Sequence, residues 1–191
     1  TDRPAVLNIS GGTINGGTSP QGAANVGIQY NENVTISGGE FLGGVTLSKS
    51  LTSLKLEGKL QFSRTKTIDK KTYYDYISIA EGTKADISQL DPESVIYVTA
   101  TSGAAIALAD ENAANLRKCF ITLDKNYCVT AKTDNQLYYT KHTKTTITAK
   151  AATCEGVGYA VDALYCATCK EYYNAAHTAR LEESDVVIAA L

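Results

Sequence analysis

The residues best suited to chemistry lie towards the C-terminus, where His142, Cys154, Cys166 and Cys169 follow one another and His177 stands a little beyond. Cys166-Ala167-Thr168-Cys169 is a Cys-x2-Cys pair, and a tight turn can aim two such thiolates at one ion. Cys154 and one of the two histidines would complete a Cys3His set, the donors of a closed tetrahedral zinc site. Such a site would fold a small unit that has no large core of its own. The chain has five cysteines, and an odd number suits three thiolates on one metal better than three thiols seeking disulfides. Two other readings stay open: a disulfide from Cys154 to Cys166 or Cys169, and reduced thiols with neither. A redox Cys-x2-Cys would need a thioredoxin-like βαβ setting, which the surrounding sequence lacks. Cys119 and Cys128 flank a turn expected at residues 124–126. In that register Cys119 faces residue 131, so a bridge to Cys128 would need another register; two small, half-buried apolar residues is the plainer reading.

Something must position these groups, and the first third of the chain carries an internal repeat. Asn8-Ile9-Ser10-Gly11-Gly12-Thr13-Ile14 returns 27 residues later as Thr35-Ile36-Ser37-Gly38-Gly39-Glu40-Phe41. A looser third copy, Leu54-Lys55-Leu56-Glu57-Gly58-Lys59-Leu60-Gln61-Phe62, follows. Each copy alternates, turns at glycine and alternates again. Period two puts Leu7, Ile9 and Ile14, then Val34, Ile36 and Phe41, on one face. A spacing of this size predicts a solenoid whose coils bury their inward rows on one another. A β-sandwich with repeated hairpin glycines is the rival arrangement. Further strands are expected at residues 26–30 and 44–48.

Residues 61–140 lose the repeat. Strands are expected at 76–79, 94–99 and 136–139, a hairpin from 120–123 to 127–130, and a short helix capped by Asp110 and running through Ala113, Ala114 and Leu116. Solenoid ends expose strand edges that need covering, and this stretch is placed to do so. The expected organisation is therefore mainly β: parallel coils over 1–60, a β-rich cap over 61–140, and a small cysteine/histidine module over 141–191.

Composition narrows the function. The chain has no methionine, so Thr1 is not expected to be a translation start, and a processed product or a fragment is expected. No apolar run is long enough for a membrane span, and no signal peptide is visible. Net charge is −2, and Arg64, Lys66, Lys70 and Lys71 are the one basic cluster, beside Tyr73, Tyr74 and Tyr76. A nucleic-acid site needs a larger basic footprint. Glycosidases need two carboxylates in one cleft; the acids of the coils, Asp2, Glu32, Glu40 and Glu57, have no partners at coil spacing. Neither histidine lies in the coils. No catalytic residues are expected.

The segment NVTISGGEFLGGVTLS resembles the Ile-Ser-Gly-Gly-x-Ile/Phe coils of secreted, right-handed parallel β-helix proteins from Gram-positive gut bacteria, which are commonly adhesin-like surface molecules. That resemblance implies an extracellular or cell-surface, monomeric scaffold whose partner would be a host protein or a glycan. An accessory carbohydrate-binding segment of a secreted glycan-degrading enzyme is the alternative. The stretch AATCEGVGYAVDALYCATCKEYY resembles a small module of the same surface proteins: a histidine, Ala-Thr-Cys, a glycine, Cys-x2-Cys-Gly and a closing apolar strand. The match falls on His142, Cys154, Gly156 or Gly158, Cys166 and Cys169, with the last residues, from Val186 to Leu191, as the closing strand. One structural zinc on His142, Cys154, Cys166 and Cys169 is what it implies. Lys170 departs from the pattern, standing where the module has the glycine of the turn.

Overall fold

The structure is a computed structural model that describes residues 5–15, 18–19, 22–23, 26–28, 33–42, 44–47, 53–62, 65–68 and 70–190. The fold is mainly β, in several sheets, and forms two compact units. The first comprises residues 1–124 and 129–140, the second 125–128 and 141–191.

In the first unit the chain alternates between two sheets. One holds Val6–Asn15, Asn33–Leu42, Ser53–Leu56, Ala85–Asp86 and Ala105–Leu108, each parallel to the next. The other holds Val26–Ile28, Val45–Leu47, Ile77–Ile79, Val95–Ala100 and Phe120–Thr122, again all parallel. The repeat in the sequence is the register of the first sheet: Asn8 pairs with Thr35 and Ile9 with Ile36, and Ile36 in turn with Leu56. Because side chains alternate along a strand, this register stacks like on like. Leu7, Val34, Leu54, Ala85, Ala107 and Leu137 form one row across the sheet. Val26, Val45, Ile77 and Val98 form the corresponding row in the other. From Val34, Leu54, Val45 and Ile77 onward these aliphatics are buried, each valine, leucine or isoleucine worth about 1.5–3 kcal/mol as it leaves water. Pairing runs across residue 60 without a break, since Ser53–Leu56 is followed in its sheet by Ala85–Asp86.

The glycine corner has a steric reason. Register shifts where Ser10 meets Gly38, and a Cβ on Gly38 would stand 2.5 Å from the Ser10 carbonyl oxygen. Only glycine lets one copy of the Ser-Gly-Gly corner lie so close to the other.

Two expectations change. Residues 120–122 and 127–131 do not form a hairpin: Phe120–Thr122 extends the second sheet beside Val95–Ala100, and Tyr127–Ala131 pairs with Gln136–Lys141 in the first. The short helix is Ala113–Leu116, and Asn112, with left-handed φ of 64°, occupies the cap position expected of Asp110. As the plainer reading expects, Cys119 and Cys128 are not bridged, and none of the five cysteines forms a disulfide. Cys119 is fully buried in the first unit, where its thiol donates to the carbonyl oxygen of Pro92 at 3.4 Å. Burial pushes that thiol up. Asp2, Glu32 and Arg64 lie outside the described residues, as do the side chains of Ile14, Glu40, Phe41, Lys66, Lys71 and Tyr73. No helix among the described residues is long and apolar enough to cross a membrane.

Candidate metal centre

The second unit is built on four antiparallel strands, Lys144–Ile147, Ala163–Cys166, Glu171–Asn174 and Arg180–Leu181. A second pairing joins Gly158–Tyr159 to Val187–Ile188. Gly158 has a packing role: a Cβ there would meet the backbone nitrogen of Ala152 at 2.4 Å. The unit's core is unusual in its chemistry. Its buried hydrophobic residues, among those described, are Cys128, Ala163, Cys166, Cys169 and Val186. Apart from Val186 no aliphatic larger than alanine is buried, too little apolar volume to hold some fifty residues by itself. Three of the five buried side chains are thiols, and these three cluster together with Tyr173 packed against them.

Each thiol is delivered by local structure. Cys166 ends its strand opposite Lys144, and Cys169 sits in the turn that leads into Glu171–Asn174. The Lys170 amide donates to the Cys166 carbonyl at 2.9 Å, and Lys170 takes a left-handed φ of 61°, a conformation that favours glycine. A side chain in that region costs about 1–2 kcal/mol. Lys170→Gly is therefore expected to raise stability by up to about 1 kcal/mol after the greater freedom of the unfolded glycine is subtracted, measured by denaturant titration. Cys128 comes from the separate segment 125–128, which is tied in by the His142 amide donating to the Asn126 carbonyl at 2.8 Å and by Lys144 Nζ donating to the Lys125 carbonyl at 3.3 Å.

These elements bring Cys128, His142, Cys166 and Cys169 together, with one ligand atom of each within 4.8 Å of all the others. His142 Nδ1 lies 3.0 Å from Cys166 Sγ and 3.8 Å from Cys169 Sγ. Donors about 2.3 Å from a common centre stand about 3.8 Å apart in a tetrahedron, so these four need move only slightly to share one ion. The group lies close enough to hold a metal ion.

Electrostatics point the same way. Hydrogen bonding to Cys128, then to His142, Tyr173 and Cys166, pulls the Cys169 thiol below the usual range against the effect of burial. The same bond, followed by burial, pushes Cys128 well above the usual thiol range. A buried thiolate kept ionised by protons on its neighbours is the arrangement that a cation would replace. Around it, Tyr173 Oη lies 3.6 Å from Cys169 Sγ and donates to Glu171 at 2.8 Å, and Glu171 also pairs with Arg180 at 3.3 Å. His142, Tyr173 and His177 meet edge to face, with centroids 4.6–5.2 Å apart.

Of the residues expected from spacing, the structure gathers His142, Cys166 and Cys169 but not Cys154. Cys154 is exposed, in a turn closed by paired bonds between Thr153 and Gly156. Cys128 completes the set instead, and sequence reasoning had left it as packing. His177 is not a fourth donor either; its Nδ1 accepts from Lys144 Nζ at 3.0 Å, and burial together with that ammonium lowers its pKa. No protein family, curated protein or solved structure matches this chain.

Proposed function

We propose that the chain is a non-catalytic structural piece of a secreted or cell-surface protein: the end of a right-handed parallel β-helix followed by a small zinc-clasped unit. The observation that carries it is the meeting of three cysteines and a histidine, donor atoms within 4.8 Å of one another, at the centre of a unit with almost no other core. Three thiolates and an imidazole fill all four positions of a tetrahedral ion, leaving none for substrate or an activated water. The zinc is therefore structural: Cys128, Cys166 and Cys169 would bind it through sulfur and His142 through Nδ1. Its binding energy would replace the missing apolar core.

For the first unit, support comes from strand order. Alternation between two parallel sheets, with aliphatic rows continued from strand to strand, is how coils bury their inward faces. The right hand and the surface location are carried by the Ile-Ser-Gly-Gly resemblance. A rigid scaffold of this kind would present its outward side chains to a host protein or glycan.

Native mass spectrometry of protein purified under reducing conditions tests this reading. The expected result is one zinc per chain, removed by chelator, with hydrogen-exchange protection lost over 141–190 and kept in the first unit. Full protection of 141–190 without metal would contradict it.

A further inference from the structure

Resting on the reading of the first unit as stacked coils, we infer that the outer edge of Val6–Asn15 seats one further coil of the same repeat, entering ahead of Ala5. The Ser-Gly-Gly corner of that coil would lie on Gly11. Gly11 carries the inference, because nothing in the described residues requires a glycine there. In each corner the second glycine, Gly12 or Gly39, has a left-handed φ, 86° and 101° respectively, and is fixed by the turn. The first, Gly11 or Gly38, does not. Gly38 owes its identity to packing: the Ser10 carbonyl oxygen of the preceding copy lies 2.5 Å from where its Cβ would stand. A Cβ on Gly11, the counterpart 27 residues earlier, would meet no described atom within 4 Å. The contact for which Gly11 leaves room is the carbonyl of one more corner.

The strand around Gly11 is one-sided in the same way. Val6–Asn15 pairs with Asn33–Leu42 along one edge, and no described strand pairs with the other. Val26–Ile28 likewise ends the second sheet. Leu7 and Ile9 are only partly covered, although their partners Val34 and Ile36 are buried. The edge strand is ten residues long and holds neither a charge nor a proline, the usual guards against pairing. A second copy of this chain does not fit that edge. Both of its corner carbonyls are already used, Ser10 on Gly38 and Ser37 on Gly58, the latter 3.6 Å from where a Cβ would stand. Two such edges joined across a two-fold axis, with their apolar rows on one face, would also run antiparallel and put the corners out of line. A coil that precedes Ala5 in the same polypeptide meets both conditions: its strand runs parallel, and its serine carbonyl is free for Gly11.

The test inserts a second copy of residues 5–31 between Pro4 and Ala5 of the full chain, which keeps the 27-residue spacing and supplies a corner ahead of Gly11. Gly11→Ala and Gly38→Ala are made in the parent and in the extended chain, and all are followed by denaturant titration and hydrogen exchange. The extended chain is expected to unfold with a steeper slope, since more surface is buried, and to exchange more slowly over residues 6–10. Gly11→Ala should not lower the parent's midpoint, whereas in the extended chain it should strip protection from the added coil. Gly38→Ala should lower the midpoint of both chains or unfold their first unit. Full tolerance of Gly38→Ala would remove the coil reading itself, and the proposal with it. With Gly38 sensitive, three results would overturn the proposal alone. These are an added coil that exchanges like an unfolded segment, Gly11→Ala equally harmless in both chains, or a concentration-dependent dimer of the parent that Gly11→Ala abolishes.

Discussion

Cys128→Ser is expected to strip the metal from the second unit and melt it, while Cys154→Ser leaves both untouched. The contrast is sharp because spacing alone favours the opposite assignment. Cys154 stands at the expected interval before Cys166-x2-Cys169, yet it is exposed in the Thr153–Gly156 turn, whereas Cys128 is buried against the other two thiols. Structural zinc is worth about 10–16 kcal/mol to small metal-folded units. Loss of one of four ligands should therefore lower affinity by far more than the about 10–100-fold typical of an outer partner. Zinc stoichiometry and hydrogen exchange on the two variants decide the matter. Metal loss in Cys154→Ser, with binding kept in Cys128→Ser, would return the site to the set that the spacing suggests.

The second large effect belongs to the first unit. Ile36 is fully buried, stacked between Ile9 and Leu56 in adjacent parallel strands. Ile36→Ala should cost about 2–5 kcal/mol, from lost transfer energy and the cavity that rigid neighbours cannot close. Its neighbour Thr35 points to the other face and is only partly buried. Thr35→Ala should stay within about 0.5 kcal/mol. Denaturant midpoints at unchanged slope measure both. Equal effects at the two positions would mean that the inward row is not the row assigned here.

How much of this was legible differs between the two units for physical reasons. In the first parallel strands the sequence repeat and the strand register are the same thing, because the two Ser-Gly-Gly corners pair with each other; Asn8 with Thr35 could be read directly. The continuation beyond residue 60 was hidden. Ala85 and Ala107 carry on the row through Val34 and Leu54, but in two- and four-residue strands that follow single-glycine turns at Gly82 and Gly103 instead of a Ser-Gly-Gly corner. The hairpin expected around residues 124–126 was plausible locally and lost to a tertiary effect, since Phe120–Thr122 finds a parallel partner in Val95–Ala100.

At the metal centre, the Cys-x2-Cys knuckle was legible because its chemistry is contained in one turn. Lys170 was a fair reason for doubt, and the backbone accepts it in the left-handed region all the same. Cys128 was not legible. It precedes the module, sits in a strand where an ordinary small apolar residue would fit, and is recruited only when residues 125–128 dock beside His142.

X-ray absorption at the zinc edge, on the zinc-loaded full chain, tests the central claim most directly. The account predicts three sulfurs at about 2.3 Å and one nitrogen at about 2.0 Å, falling to two sulfurs or to no bound zinc in Cys128→Ser. A shell containing water or carboxylate oxygen, or three sulfurs that persist in Cys128→Ser, would contradict it.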